Sequence, residues 1–185
     1  MILFVLKELR FDADYLIEGQ IDGFDNKVKL SYETRIAVFE GDEYLTSVMD
    51  KRPKFHLYKP HIAVITGISW EKSIAYPTVE MYNKQFEIFT QLMEVQGRLI
   101  YFEGDENLKL IAKNFRRDIV PFSYRTPEFE IINGITFLKN KKGNVPLKIS
   151  GEQNLQYLTA ARLACRQIGI YDEQFYSVIQ NFSIV

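Results

Sequence analysis

The chain has 185 residues, enough for one ordinary domain with a core of its own. Its composition is globular, 46% hydrophobic and 25% charged with a formal net charge of −1, and lacks the basic excess of a nucleic-acid or membrane-surface binder. No apolar run reaches transmembrane length.

The first run, Met1-Ile-Leu-Phe-Val-Leu, has no basic n-region and stops at Lys7-Glu8, so it predicts no signal peptide. Ile2 to Leu9 instead reads as a short helix without a start signal. Tyr15 to Ile17 reads as a strand, Gly19 to Asp25 as the polar loop after it, and Val28 to Leu30 as a brief extended piece. Two β-branched runs follow, Ile36 to Phe39 and Ile62 to Ile65, and both predict buried parallel strands. Between them, Leu45 to Tyr58 holds Pro53 and several basic residues, which suggests a short helix and a loop.

Val79 to Met93 places Met81, Tyr82, Phe86, Phe89 and Leu92/Met93 at helical spacing, a core-facing helix ended by Gly97. Arg98 to Phe102 is a strand, Glu103-Gly-Asp-Glu its turn, and Leu108 to Phe115 a short helix. Ile119 to Tyr124 is a strand placed near an edge or a bend by Pro121. Phe129 to Ile132 and Ile135 to Leu138 flank Asn133-Gly134, the strongest hairpin signal in the chain. Lys139, Lys141 and Lys142 with Gly143-Asn144 form a basic turn. Gly151 to Gly169 is the best helix, with Leu155, Leu158, Ala161, Leu163/Ala164 and Ile168 on its apolar face. Asp172 is expected to cap a last helix that turns Phe175, Ile179 and Phe182 inward. Strand and helix alternate through most of the chain, so the fold class is α/β: a mainly parallel sheet flanked by helices, with a late antiparallel hairpin.

The chemistry-bearing residues gather where the two buried runs end. Glu40, Asp42 and Glu43 follow the first, and Ser69, Glu71 and Lys72 follow the second. Ligands of an open α/β sheet sit outside the carboxyl ends of its strands. Three carboxylates there are placed to hold a divalent cation and, through it, phosphate; the alternative is a solvated acidic turn. His56 and His61 are the only histidines, and neither has a partner at metal-ligand spacing. Cys165, the single cysteine, lies on the apolar stripe of its helix and reads as a buried structural thiol. One cysteine excludes an intrachain disulfide and fits a reducing cytoplasm.

The stretch Ile36-Ala-Val-Phe-Glu-Gly-Asp-Glu-Tyr-Leu, with His61-Ile-Ala-Val-Ile-Thr-Gly-Ile-Ser, resembles the central domain of the Mur ligases. The likeness points to the branch of the UDP-N-acetylmuramate:L-alanine and murein-tripeptide-recycling ligases. Ser150-Gly-Glu-Gln-Asn-Leu-Gln-Tyr-Leu-Thr-Ala-Ala-Arg-Leu-Ala-Cys is similar to the family's His-Asn-x-x-Asn helix, which lies against the adenine of ATP. The likeness runs from Phe4 to Phe182, as one domain over residues 1–185 with a P-loop-NTPase-like fold.

The resemblance implies an ATP-dependent ligase of peptidoglycan synthesis or recycling, in which ATP and Mg2+ phosphorylate a UDP-N-acetylmuramate-type carboxylate that an amine then attacks. It implies that Glu40 is a metal ligand, and that Gln153, Asn154 and Tyr157 stand at the adenine-side positions. Asn154 matches the family's first Asn, whereas Gln153 replaces His and Tyr157 replaces the second Asn. The family's Asp-His pair after the second strand is here Glu71-Lys72. A protonated lysine repels a cation but can meet phosphate as a point charge, which makes Lys72 a phosphate-side candidate. No glycine in the sequence is followed by Lys-Ser or Lys-Thr, so the family's phosphate loop, Gly-x-Gly-Lys-Ser/Thr, is missing. The expectation is a central domain incomplete at its N-terminus, without flanking substrate domains, and with no catalytic residue acting alone. The alternative is a degenerate, non-catalytic α/β relic or partner-binding module. A sheet without its central strand is expected to form a homodimer or to aggregate.

Overall fold

The computed structural model describes residues 1–21, 23–140 and 143–184. In chain order they form α1 (Ile2–Glu8), β1 (Asp14–Leu16), β2 (Val28–Lys29), β3 (Ala37–Phe39), a 3-10 turn (Lys54–Leu57) and β4 (Ile62–Ile65). Then come α2 (Val79–Leu92), β5 (Arg98–Phe102), α3 (Glu106–Ala112) and β6 (Val120–Tyr124). The chain closes with β7 (Phe129–Ile132), β8 (Ile135–Leu138), β9 (Val145–Leu147), α4 (Glu152–Gln167) and α5 (Asp172–Ile179). The strands run in three orders, β2-β1-β3, β4-β5-β6 and β7-β8-β9. Among the described residues no helix is long and apolar enough to cross a membrane.

The residues fall into two compact units. The first takes Met1–Asp14, Ser31–Val38 and the chain from Tyr124 on. Its core is helical: Val5 and Leu6 of α1, Leu155, Leu158 and Cys165 of α4, and Phe175 and Ile179 of α5 are all inaccessible or nearly so. Burial pushes the Cys165 thiol up to about 12, so it is an inert apolar filler, as its position on the stripe predicts. Gly169, at φ +90°, lets the Ile170 N–H reach back to the Cys165 carbonyl and close α4. Asp172 does not cap α5: Tyr171 does, with the Gln174 side chain accepting its N–H at 3.1 Å, and Asp172 pairs with Arg162 at 2.8 Å. Asn133 and Gly134, at φ +50° and +79°, make the predicted hairpin turn of β7 and β8. The hairpin is larger than expected, because β9 pairs antiparallel with β8. The basic turn falls partly on Lys141 and Lys142, and the loop after β1 partly on Asp22; these lie outside the described residues.

The second unit takes Tyr15–Leu30 and Phe39–Ser123. β4 and β5 pair parallel, Ile62 opposite Arg98 through Ile65 opposite Tyr101. Ala63, Ile65 and Leu99 of these strands pack with Tyr82 of α2, Leu108 and Ile111 of α3, and Ile119. β6 ends its order, and there Pro121 needs no ladder partner for its missing N–H. Asp105 accepts the Leu108 N–H, so α3 starts two residues earlier than predicted. Leu45 to Tyr58 holds only the 3-10 turn as helix; a hydrogen-bonded loop fills the rest.

β3 corrects one expectation. It belongs to the β2-β1-β3 order rather than beside β4, and Ala37 and Phe39 are exposed. A run of Ile-Ala-Val-Phe has the composition of a buried strand, but burial depends on what covers each face, which composition does not encode.

Candidate functional site

The end of β3 is built within the second unit. Glu40 donates its N–H to the Leu16 carbonyl at 2.8 Å, and its Oε2 accepts the Glu18 N–H at 2.7 Å. Two residues on, Asp42 is buried, only 5% exposed, and accepts the Tyr44 N–H at 2.8 Å. A buried carboxylate needs a counter-charge. Lys54 supplies it, donating from Nζ to Asp42 Oδ2 and to Glu18 Oε1 at 2.8 Å. Burial works to raise the Asp42 carboxyl, but the bonds from Lys54 and the Tyr44 N–H outweigh it and hold it below the usual range. The hydrogen bonds to Asp42 and Glu18 raise the Lys54 ammonium above its ordinary value.

At this acidic edge the one ammonium of Lys54 therefore offsets the buried Asp42 and is shared with Glu18. Glu40, Asp42 and Glu43 do not share one cation site: Asp42 is committed to Lys54, and Glu43 is exposed. Nor is the stretch a solvated turn, because Asp42 is inside. Among the described residues no three His, Cys, Asp or Glu side chains converge to hold a metal ion. A divalent cation wants several hard oxygens at once, and Glu40 with one oxygen already bonded does not provide them. The described residues do not fit Mg2+.

The loop leaving β4 is pinned at three points. Asp105 Oδ2 accepts the Ile68 N–H at 2.6 Å, Trp70 Nε1 donates to the Tyr76 carbonyl at 3.0 Å, and Tyr76 Oη donates to the Glu43 carbonyl at 2.7 Å. The last bond joins the loops that leave β3 and β4. Glu71 and Lys72 are exposed between the pins.

The adenine-side candidates lie in the first unit, on the opening turns of α4. Gln153 Nε2 donates to Tyr157 Oη at 2.6 Å, an i,i+4 pair on one helix face. Asn154 Nδ2 donates to the Ser150 carbonyl at 2.8 Å and closes the turn before the helix. Tyr157 is 36% exposed, so part of its ring remains available for stacking. Gln153 and Asn154 spend amide donors on their own helix rather than presenting them to a base.

Four residues that organise this region escaped the sequence reading: Glu18, Lys54, Tyr76 and Asp105. Their long-range partners stand 12 to 37 positions away, and no local pattern links those pairs. The histidines divide as expected into structural and surface roles. His56 is buried with Nε2 at 2.8 Å from the Gln85 carbonyl, and His61 is exposed. A cavity of about 340 Å³ lies along α2 and α3, lined by Glu87, Gln91 and Asn114 and not by any of the candidate residues.

Against known proteins, no family model matches the chain. It is 25% identical over 195 residues to the UDP-N-acetylmuramate–L-alanyl-gamma-D-glutamyl-meso-2,6-diaminoheptandioate ligase of Escherichia coli, covering 98% of this chain and 41% of that one. It is 24% identical over 188 residues to the UDP-N-acetylmuramate–L-alanine ligase of Parabacteroides distasonis, covering 88% and 37%. Among solved structures, the UDP-N-acetylmuramate:L-alanyl-gamma-D-glutamyl-meso-diaminopimelate ligase of Neisseria meningitides superposes with a TM-score of 0.82 at 20% identity, covering 100% of this chain and 61% of that one. A MurF ligase of Thermotoga maritima, solved in complex with ADP, superposes at 0.70 and 15% identity, covering 100% and 45%. These superpositions establish the fold, a parallel sheet flanked by helices. The chain spans about two fifths of the length of the curated relatives it matches.

Proposed function

We propose that this chain, whose homologues are Mur ligases, is the central, nucleotide-side domain of an ATP-dependent UDP-N-acetylmuramate ligase and is not catalytic by itself. One observation carries the reading. The match to ligases of this family runs essentially end to end in sequence and in fold, with 98% of the chain aligned to one ligase and 100% superposed on another.

In this reading the parent enzyme joins a UDP-N-acetylmuramate-type substrate to an amino acid or peptide at the expense of ATP. The 185 residues form one domain of it. Within the first unit, Tyr157 offers a stacking face to adenine, with Gln153 and Asn154 framing the helix opening. Glu40 alone makes no divalent site, and Lys54 occupies Asp42 and Glu18 beside it. That occupancy, together with the Gln153–Tyr157 bond, favours a second reading, a non-catalytic module that keeps the scaffold.

Thermal unfolding with ATP, with MgATP and with CTP separates the two. The nucleotide-side reading expects stabilisation by ATP, about 2.7 kcal/mol at a hundredfold excess over the dissociation constant. It also expects little change on adding Mg2+, and loss of the effect in Tyr157→Ala. An absence of any shift at millimolar ATP refutes a nucleotide role and leaves the non-catalytic module.

A further inference from the structure

The strongest unassigned feature lies in the second unit, between the loop that follows Asp42 and helix α2. A cavity of about 520 Å³ opens there, within the range of small-ligand sites. It is lined by the cations Lys51, Arg52 and Lys59 and by the aliphatic Leu57, Ile88 and Leu92, with His56 and Gln85. None of its described lining residues is acidic. We propose that this groove binds a small organic anion, a carboxylate carried on a short aliphatic body. The proposal does not depend on the ligase reading.

The cations are held on a scaffold rather than on loose chain. The Thr46 N–H donates to the Arg52 carbonyl at 2.8 Å, Lys54 N–H to the Tyr44 carbonyl at 3.0 Å, and Ser47 N–H to the Asp50 carbonyl at 3.1 Å. These bonds close a small hairpin that presents Lys51 and Arg52 side by side. Lys59 sits at φ +42°, immediately before Pro60, in a left-handed conformation that a lysine seldom adopts. Such backbone outliers concentrate where a side chain is required in one place. His56, buried beneath the hairpin, bonds the Gln85 carbonyl and ties this segment to α2.

Charge and shape together select the ligand. Asp50 takes Nε and Nη2 of Arg52, the latter at 2.7 Å, and offsets one of the three positive charges. Two remain uncompensated by any lining residue. His56 adds none near neutral pH, since burial and the nearby Arg52 lower its pKa despite the Gln85 bond. Its apolar lining is aliphatic, and the one lining ring, that of His56, is buried and tied to the Gln85 carbonyl rather than free to stack on a nucleobase. A bare inorganic ion would leave that apolar lining in water. A carbon chain ending in a carboxylate covers it while meeting the lysines.

The test is a titration of the whole chain followed through its backbone amide NMR signals, with glutarate, inorganic phosphate and neutral glutaramide as probes. Glutarate is expected to give saturable shifts centred on Arg52, Lys59, Gln85 and Ile88, with phosphate and glutaramide at least tenfold weaker. Lys51→Ala with Lys59→Ala should weaken glutarate at least tenfold at an unchanged melting temperature. The corresponding pair of arginine substitutions should retain binding, and Lys84→Ala, outside the groove, should change nothing. Shifts spread over all exposed lysines, failure to saturate, wild-type affinity in the double alanine variant, or equal affinity for phosphate each overturn the proposal.

Discussion

Asp105 Oδ2 accepts the Ile68 N–H at 2.6 Å while its Oδ1 accepts the Leu108 N–H at 3.1 Å, so one carboxylate both starts α3 and fixes the loop leaving β4. The two roles predict an additive loss. Asp105→Ala removes a helix cap and leaves the Ile68 amide without this acceptor, for about 1.5–3 kcal/mol in total. Asp105→Asn keeps one acceptor oxygen and should cost less. Urea unfolding measures the total, and hydrogen exchange at Ile68 isolates the loop. An alanine variant with native midpoint and native Ile68 protection would show that the loop is held elsewhere.

Lys54 is the second lever. Lys54→Met keeps the aliphatic stem but strips Asp42 and Glu18 of their ammonium. The pair is half inside: Asp42 is buried and the Lys54 side chain is 37% exposed, so water screens part of the loss. Destabilisation of about 1–2 kcal/mol is expected, most of it from leaving Asp42 unpaired. Asp42→Asn in the same background should restore much of it. A double variant no better than Lys54→Met would mean that Asp42 is not the group being satisfied.

The His56 imidazole predicts how stability depends on pH. Its Nε2 faces a carbonyl, which only accepts, so Nε2 carries the proton in the neutral ring. Burial first, and then Arg52, lower its pKa against the opposing pull of the Gln85 carbonyl. A group whose folded pKa lies below its unfolded value contributes stability above the unfolded value, near 6.5, and loses it as pH falls through the folded one. The urea midpoint should therefore drop between pH 7 and pH 5, and His56→Gln should flatten that slope. Asp42, also lowered in the fold, adds a separate loss only below about pH 4. A slope unchanged in His56→Gln would assign the acid sensitivity to other groups.

These predictions turn on residues the linear sequence conceals. What it displays is local: α4 through its apolar spacing and terminal Gly169, and the β7–β8 turn through Asn133-Gly134. Of the two β-branched runs only Ile62 to Ile65 enters a parallel pair, and its partner is β5. β9 is hidden because Pro146 argues against a strand; it survives as the end of its order, where a missing N–H breaks no ladder. Tyr76 joins the segments leaving β3 and β4, whose carboxylates differ in ways the sequence does not display. Glu40, Asp42 and Glu43 look alike in sequence, yet one carboxylate is buried and paired and the others are exposed. That distinction depends on Lys54, brought by tertiary contact to Asp42 across 12 residues and to Glu18 across 36.

Gly97 offers the sharpest steric test. It is buried at the start of β5, where its N–H donates to the Glu94 carbonyl and its own carbonyl accepts the Val120 N–H at 2.9 Å. A Cβ at this position would stand 2.9 Å from the Glu94 carbonyl oxygen, 3.0 Å from Met93 Cε and 3.2 Å from Ile119 Cδ1. The methyl and the isoleucine tip have freedom to yield, but the carbonyl is backbone, fixed by the same turn. Gly97→Ala should therefore cost about 1–3 kcal/mol. Adding Ile119→Val, which removes only Cδ1, should not rescue it. Gly19→Ala is the matched control: nothing stands within 4 Å of its Cβ, so its stability should stay within about 0.5 kcal/mol of native or rise slightly. If Gly97→Ala unfolds at the native urea midpoint, or if Ile119→Val restores it fully, the Glu94 carbonyl is not the obstacle that demands glycine here.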